Sequence, residues 1–211
     1  MAFNIQTFKS SFADGGARPT LYEVQVSFPN VGDSPEILGA DGTLASNKLM
    51  FTCSAANLPT SRLGVIEVPY FGRTIKVEGN RSYPEWVVTI INDESFVVRT
   101  ALEAWHAKIN SIVPNVMDPS YADGSYKVSG LVRQYAKSGS NGGAEGDVLR
   151  MYELWGMFPT DVGEIRLGWD QRDQLEYYQV SFAFDWWTVV QNTDLSVALG
   201  TVGGQSIPLA P

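Results

Sequence analysis

At 211 residues, with 44% hydrophobic and 18% charged residues, the chain is long enough for one domain with extended arms and too apolar to be globally disordered. Its formal charge of −8, from 15 basic against 23 acidic residues, excludes a protein that grips nucleic acid through a basic surface. The single cysteine, Cys53, excludes an internal disulfide and any cysteine-cluster metal site.

Residues 1–18 are polar, carry Gly15 and Gly16, and show no period, so they read as an N-terminal arm. They lack the charged start and apolar run of a secretory signal, and no stretch approaches the ~20 apolar residues of a membrane span. A soluble protein made in a cytoplasm, with no membrane anchoring, is the expectation. From Leu21 to Phe28, Tyr22, Val24, Val26 and Phe28 alternate with Glu23, Gln25 and Ser27, which predicts a half-buried strand. The Gly-, Asp- and Ser-rich stretch Asn30–Asn47 reads as a long loop. Strands are then predicted at Leu49–Ala55, Gly64–Tyr70 and Arg73–Glu78, with a turn at Gly72 and interruptions at Pro59 and Pro69. The apolar run Trp86–Ile91 reads as a buried strand.

One principal helix is predicted. Asp93 stands at its N-cap, Glu94 adds a carboxylate at the positive end of the dipole, and Val98, Leu102, Trp105, Ile109 and Ile112 form one apolar stripe before Pro114. This helix is expected to pack across a sheet. Further strands are predicted at Tyr126–Gln134, Val148–Trp155, Glu164–Trp169 and Tyr177–Val189, with a mobile Gly-rich linker at Ser138–Gly146. Residues 191–211 hold small apolar residues and glycine in neither period and read as a C-terminal arm. The resulting fold is mainly β, with roughly eight strands closed into a β-barrel or packed as a β-sandwich and one flanking helix. The β domain occupies residues 19–190 between the two arms.

Chemistry is sparse. His106, the only histidine, reads as a surface or boundary residue of the helix. Cys53 sits in an apolar run, where a small buried thiol is its usual role. Asp161, Glu164, Asp170, Asp173, Glu176 and Asp185 crowd the C-terminal strands against only Arg166 and Arg172. Their spacing matches no calcium loop, and Asp170 and Asp173 suit turn chemistry. The glycines at 142–146 and 200–204 lack the Lys-Ser/Thr ending of a phosphate loop. No catalytic, cofactor-binding or metal-binding residue is predicted.

A series of short motifs runs through the chain in one order. They are Ala17-Arg18-Pro19-Thr20-Leu21-Tyr22-Glu23-Val24, Phe51-Thr52-Cys53, Asn57-Leu58-Pro59, and Gly79-Asn80-Arg81-Ser82-Tyr83 leading to Trp86-Val87-Val88-Thr89. Asn92-Asp93-Glu94, Val132-Arg133-Gln134-Tyr135, Phe158-Pro159-Thr160-Asp161-Val162-Gly163-Glu164 and the closing Phe184-Asp185-Trp186-Trp187 follow. Over about residues 17 to 190 the chain resembles the tail tube proteins of T-even-like contractile-tailed phages; its Asn30–Asn47 stretch and its tail after Gln191 look longer than the family's core pattern.

That resemblance implies a β-barrel-like protomer with a flanking helix, six to a ring, the rings stacking helically into a tube inside a contractile sheath. The lumen holds the tape-measure protein and then conducts DNA, which an acidic wall lets pass. Implied partners are other copies of the chain, the tail sheath protein, the tape-measure protein, and baseplate and tail terminator proteins. Implied localisation is the virion tail, assembled in the host bacterial cytoplasm. A ring needs a heterologous interface that closes, and stacking needs a second that does not. Asn57 to Gly72, with Asn57, Leu58, Pro59, Leu63, Val65 and Ile66, is the expected inter-ring stacking loop, and Glu67 and Glu78 are expected to line the lumen. Two alternatives stay open: the tube of a phage-tail-like bacteriocin or type VI secretion machine, and a β-barrel module for a small ligand.

Overall fold

A computed structural model describes residues 4–11, 16–29, 31, 37, 40–137 and 148–190. The Gly-rich linker and the C-terminal arm lie outside these residues, as does part of the N-terminal arm. Within that first arm the structure differs from the aperiodic reading, because Ile5–Ser11 form a short helix, α1.

Strand β1 (Tyr22–Val26) follows its alternation, with Val24 and Val26 buried. The next stretch departs from expectation. Helix α2 (Gly42–Thr52) occupies the end of the presumed loop and most of the presumed strand Leu49–Ala55; only β2 (Cys53–Ala56) is extended. Asp41 caps α2, its carboxylate accepting from the Leu44 N–H at 2.9 Å. Ala45 and Leu49, one turn apart, reach the core. A short apolar run such as Leu49–Phe51 fits either a strand or a buried helix, and the cap decides it.

Among the described residues, strands β3 (Arg62–Tyr70) and β4 (Arg73–Ser82) pair only with each other, and β5 (Trp86–Ile91) buries Trp86, Val88 and Ile90. Helix α3 (Val97–Ile109) is the predicted helix, with a corrected start and end. Asp93 does not cap it. Its carbonyl accepts from the Phe96 N–H at 2.9 Å and its carboxylate from the Ser95 N–H at 3.1 Å, so Asp93 closes a turn ahead of the helix, and left-handed Phe96 (φ 52°) occupies the cap position. At the far end Ser111 hydrogen-bonds both the N–H and the carbonyl of Val116, ending the helix before Pro114 and leaving Ile112 exposed.

The remaining strands are β6 (Val128–Tyr135), β7 (Val148–Val162), β8 (Tyr177–Ala183) and β9 (Trp186–Val190). The expected strand Glu164–Trp169 is irregular: among the described residues no strand pairs with it, and Leu167 and Trp169 are exposed. The expected single strand Tyr177–Val189 is broken at Phe184-Asp185.

Strand order is β1-β6-β7-β8-β5-β2, with β9 also on β7. The long β7 therefore belongs to two sheets. Its first part pairs β6 and β9, giving sheet I; its last part, Phe158–Val162, pairs β8, giving sheet II with β5 and β2. Gly156 (φ 65°) marks the bend. The assembly is sandwich-like and does not close into a barrel. Its end strands β1 and β2 are bridged by α2 and side chains: Ser46 Oγ donates to the Val26 carbonyl at 2.6 Å and the Tyr22 hydroxyl to the Cys53 carbonyl at 3.1 Å. Between the sheets lie Val24, Val132 and Leu154 from one side and Val88, Val180 and Phe182 from the other, with Leu102 and Trp105 of α3. Each such side chain contributes about 1.5–3 kcal/mol by leaving water.

Helix α3 covers the edge of β7 that β8 leaves free. Arg99 Nη1 donates to the Gly163 carbonyl and His106 Nε2 meets the Pro159 carbonyl, each at 3.0 Å. An open strand edge invites unwanted pairing, and the helix blocks this one. His106 is thus a boundary residue with a structural contact.

Candidate assembly surfaces

The hairpin β3–β4 stands apart from the two sheets. Phe71 (φ 42°) and Gly72 (φ 76°) form its two-residue turn, both in the left-handed region that favours such hairpin turns. All nine residues of β3 are exposed. The register pairs Ile66 with Val77, Val68 with Ile75 and Tyr70 with Arg73, and between them Glu67 with Lys76 and Pro69 with Thr74. Alternate residues point to opposite faces. One face therefore carries Ile66, Val68, Tyr70, Ile75 and Val77. The other carries Val65, Glu67, Lys76 and Glu78, with a Lys76–Glu67 pair at 3.9 Å that is too exposed to contribute much. Ile66 is 55% and Val68 44% exposed, although an isolated two-stranded hairpin is marginal in water.

The residues expected to form the stacking loop divide between anchor and projection. The Asn57 carbonyl accepts from Trp86 Nε1 at 2.6 Å, Pro59 is buried, and the Thr60 carbonyl accepts from Trp187 Nε1 at 3.2 Å. These hold the hairpin's base on the body. Leu58, Leu63, Val65 and Ile66 are exposed, with Val65 and Ile66 on opposite faces. Glu67 and Glu78 share the polar face.

The outward face of sheet II has a different character. Ser54, Thr89, Gln179, Ser181 and Asp161 lie on it among the apolar Val87, Ile91 and Tyr177, and a shallow groove of about 430 Å³ opens beside Thr89, Asp161, Glu164, Tyr177 and Gln179. Two of its residues sit at register shifts in the ladder, where a backbone carbonyl loses its regular partner. The Ser54 hydroxyl donates to the Thr89 carbonyl and the Thr160 hydroxyl to the Ser181 carbonyl, each at 3.2 Å. Periodicity does not reveal this surface, because its residues come from four strands far apart in sequence.

The crowded carboxylates disperse. Asp185 pairs with Lys127 at 2.8 Å, Glu176 accepts from Asn92 Nδ2 at 2.7 Å, and Asp170 and Asp173 flank the turn at 170–173. Among the described residues no three His, Cys, Asp or Glu side chains gather as a metal site. Cys53 is buried, and that burial pushes its thiol up to about 11, away from nucleophilic use.

A family model described as phage tail tube protein matches residues 17–190. Tail tube protein gp19 of Enterobacteria phage T4 is 31% identical over 171 residues, covering 81% of this chain and 90% of that protein. The tail tube protein of Serratia phage KSP90 is 26% identical over 184 residues, covering 83% and 94%. Among solved structures, a chain of the sheath/tube terminator of the extracellular contractile injection system PVC superposes with a TM-score of 0.53 at 12% identity, over 83% of this chain and 97% of that one. A chain of the 6-fold symmetrised anti-feeding prophage baseplate superposes with a TM-score of 0.54 at 6% identity, over 83% and 95%; these two share the fold. With residues 17–190 matched by that family model, and a relative 31% identical over most of both chains, this chain belongs to the phage tail tube protein family.

Proposed function

We propose that this chain is a structural subunit of a contractile phage tail tube and carries out no catalytic step. Rings of six protomers, the number the family resemblance implies, stack inside the sheath, with baseplate and terminator proteins at the ends of the tube. The lumen holds the tape-measure protein and then passes DNA. The finished protein resides in the virion tail and is assembled in the host cytoplasm.

The observation that carries this reading is the hairpin β3–β4. Its apolar face of Ile66, Val68, Tyr70, Ile75 and Val77 stands in water in the single subunit, and burial against a second copy removes that cost. The hairpin with Leu58 and Leu63 is the ring-to-ring contact, and the opposite face directs Glu67 and Glu78 toward the lumen water. A packed interior of Trp86, Trp105 and Phe182 supports a tube subunit over a ligand-binding barrel.

Negative-stain electron microscopy of the purified protein at rising concentration, with light-scattering mass, tests it. Six-membered rings or hollow tubes are expected. A particle that stays monomeric at every concentration and when offered preformed baseplates would overturn it.

A further inference from the structure

We infer that the C-terminal arm adds a third strand to the hairpin of its own subunit, residues 195–199 pairing along the outer edge of β4.

A two-stranded hairpin is marginal in water, and a third strand is one of the additions that make such a unit stable. Here β3 is exposed along its whole length, and among the described residues both outer edges of the hairpin are unpaired. The two edges are not alike. The two-residue turn makes Tyr70 and Arg73 the closing pair, which exchanges both of its backbone bonds. Counting back from it, Pro69↔Thr74, Glu67↔Lys76 and Val65↔Glu78 are the pairs whose backbone groups point away from the partner strand. Along β3 that outward row is Val65, Glu67 and Pro69, and proline has no N–H to donate. Along β4 it is Thr74, Lys76 and Glu78, an unbroken row of donors and acceptors. Such an edge is a template for another strand.

The chain carries a strand for it. Trp187 Nε1 donates to the Thr60 carbonyl at 3.2 Å, so β9 passes the hairpin's base. Val190 ends β9 three residues later, about 10 Å on, and residues 191–194 add about 13 Å of chain before Leu195. A tether this short gives an effective concentration in the millimolar range, on the order of what no free partner supplies. The arm as a whole sustains no period, yet Leu195, Val197 and Leu199 fall at every second position around Ser196 and Ala198. Gly200 ends that run, and Asp194 is the one charged side chain in residues 191–211. Leaving from the hairpin's base, the arm runs toward its tip and so antiparallel to β4, the more stable pairing. Leu195, Val197 and Leu199 then extend the apolar face of Ile75 and Val77, while Ser196 and Ala198 join the polar one. These residues lie beyond the 17–190 that the family model matches, so the third strand is additional to the shared fold.

Hydrogen–deuterium exchange of the free subunit, read by mass spectrometry at a dilution where light scattering shows a monomer, tests the assignment. The full chain is compared with its Val197→Pro variant and with a chain ending at Val190, which keeps every described residue of the β domain. The Thr74, Lys76 and Glu78 amides should exchange about tenfold or more slowly in the full chain than in either variant. Amides of β5 should be unchanged in all three. Equal exchange at β4 in the three chains overturns the inference. Protection lost in the shortened chain but kept in Val197→Pro means that another stretch of the arm binds, and overturns it too. Protection at Val65 and Glu67 instead puts the arm on the wrong edge. Protection that rises with protein concentration makes the strand a neighbour's and overturns the assignment to the same subunit. All four outcomes are read on the monomer, so they are separate from whether tubes form.

Discussion

Gly156 and Asp185 occupy the same bend from opposite strands: Gly156 is left-handed at φ 65°, and a Cβ placed on it would overlap the Asp185 carboxylate. The strand pairing keeps one offset on both sides of this point, from Met151↔Val190 to Pro159↔Phe182. Both strands therefore turn together from sheet I into sheet II. The Asp185 N–H donates to the Trp155 carbonyl at 2.9 Å, and Lys127 Nζ holds its carboxylate at 2.8 and 3.0 Å. Gly156→Ala should lower stability by roughly 2 kcal/mol or more, from the left-handed backbone and the steric overlap. Urea unfolding by circular dichroism measures it. Asp185→Ala alone removes a half-exposed ion pair and should cost less than about 1 kcal/mol. The double variant should be more stable than the sum of the two effects, since Asp185→Ala vacates the space the new methyl needs.

This bend also explains what periodicity could and could not show. Phe182, Phe184 and Trp186 keep a perfect alternation, so the stretch reads as one strand. Yet Phe184 is buried, Trp186 is half exposed, and Trp187 packs on the core beside Tyr152 with ring centroids 5.4 Å apart. The inward face shifts by one residue at the bend, and the Trp186-Trp187 pair fits either reading. β1, β5 and the α3 stripe were legible because a single buried face imposed one period on each. The hairpin's turn was legible at Gly72, and the two-residue turn fixes the pairing from Tyr70↔Arg73 to Val65↔Glu78; only the pairing of Arg62 and Leu63, beyond the register shift at Gly64, depends on that irregularity. The sheet II face was not legible, since sheet pairing alone gathers its residues.

Helix α2 was missed because only Ala45 and Leu49 mark its inner face, while Ser46 and Asn47 are weak helix formers. Its start is set by the Asp41 cap. Asp41→Ala should cost about 1 kcal/mol. Asp41→Asn should recover most of that, because an amide oxygen still accepts the Leu44 N–H. A thermal or urea comparison of the two variants checks the difference.

Asp93 makes one part of stability depend on pH. Burial alone would push its carboxyl up. Hydrogen bonds from Lys48 Nζ and from the Ser95 N–H and hydroxyl outweigh that and hold it below the usual carboxylate range. A depressed folded-state value stabilises the fold fully above the unfolded value of about 3.9, and that contribution disappears as pH falls below it. The advantage of the native chain over Asp93→Asn should be constant from neutral pH to about 5 and shrink steadily toward pH 3. Urea midpoints across that range measure it. An unchanged difference at the acid end would count against the Lys48–Asp93 contact.

Among the described residues the buried Tyr178 hydroxyl has no hydrogen-bond partner, while Arg99 lies over its ring at 5.3 Å from the centroid. Burial pushes its phenol well above the ordinary tyrosine value. Tyr178→Phe keeps the ring and the cation contact and removes only the unpaired polar atom. It should be neutral or stabilise by up to about 1 kcal/mol, read from the urea midpoint. A loss larger than that would reveal a partner for the hydroxyl in solution.

The hairpin separates folding from assembly, because its two faces touch little of the body. Val68→Asp, opposite Ile75 on the apolar face, should leave the subunit's unfolding midpoint within about 0.5 kcal/mol of native, as surface substitutions usually do. Thr74→Asp, on the polar face opposite Pro69, adds the same charge on the same hairpin. If Ile66, Val68, Tyr70, Ile75 and Val77 pack against the next copy, Val68→Asp forfeits the ~1.5–3 kcal/mol of one buried side chain at every contact and strands a charge there. At ~1.4 kcal/mol per tenfold, the concentration needed to form tubes rises by about tenfold or more, while Thr74→Asp assembles near the native concentration. Deleting Leu58–Leu63 is a blunter test, since it also removes buried Pro59 and the Thr60 carbonyl that Trp187 uses. Sedimentation of tubes against concentration distinguishes the two point variants, and equal behaviour of both would mean that the apolar face is not the one that docks.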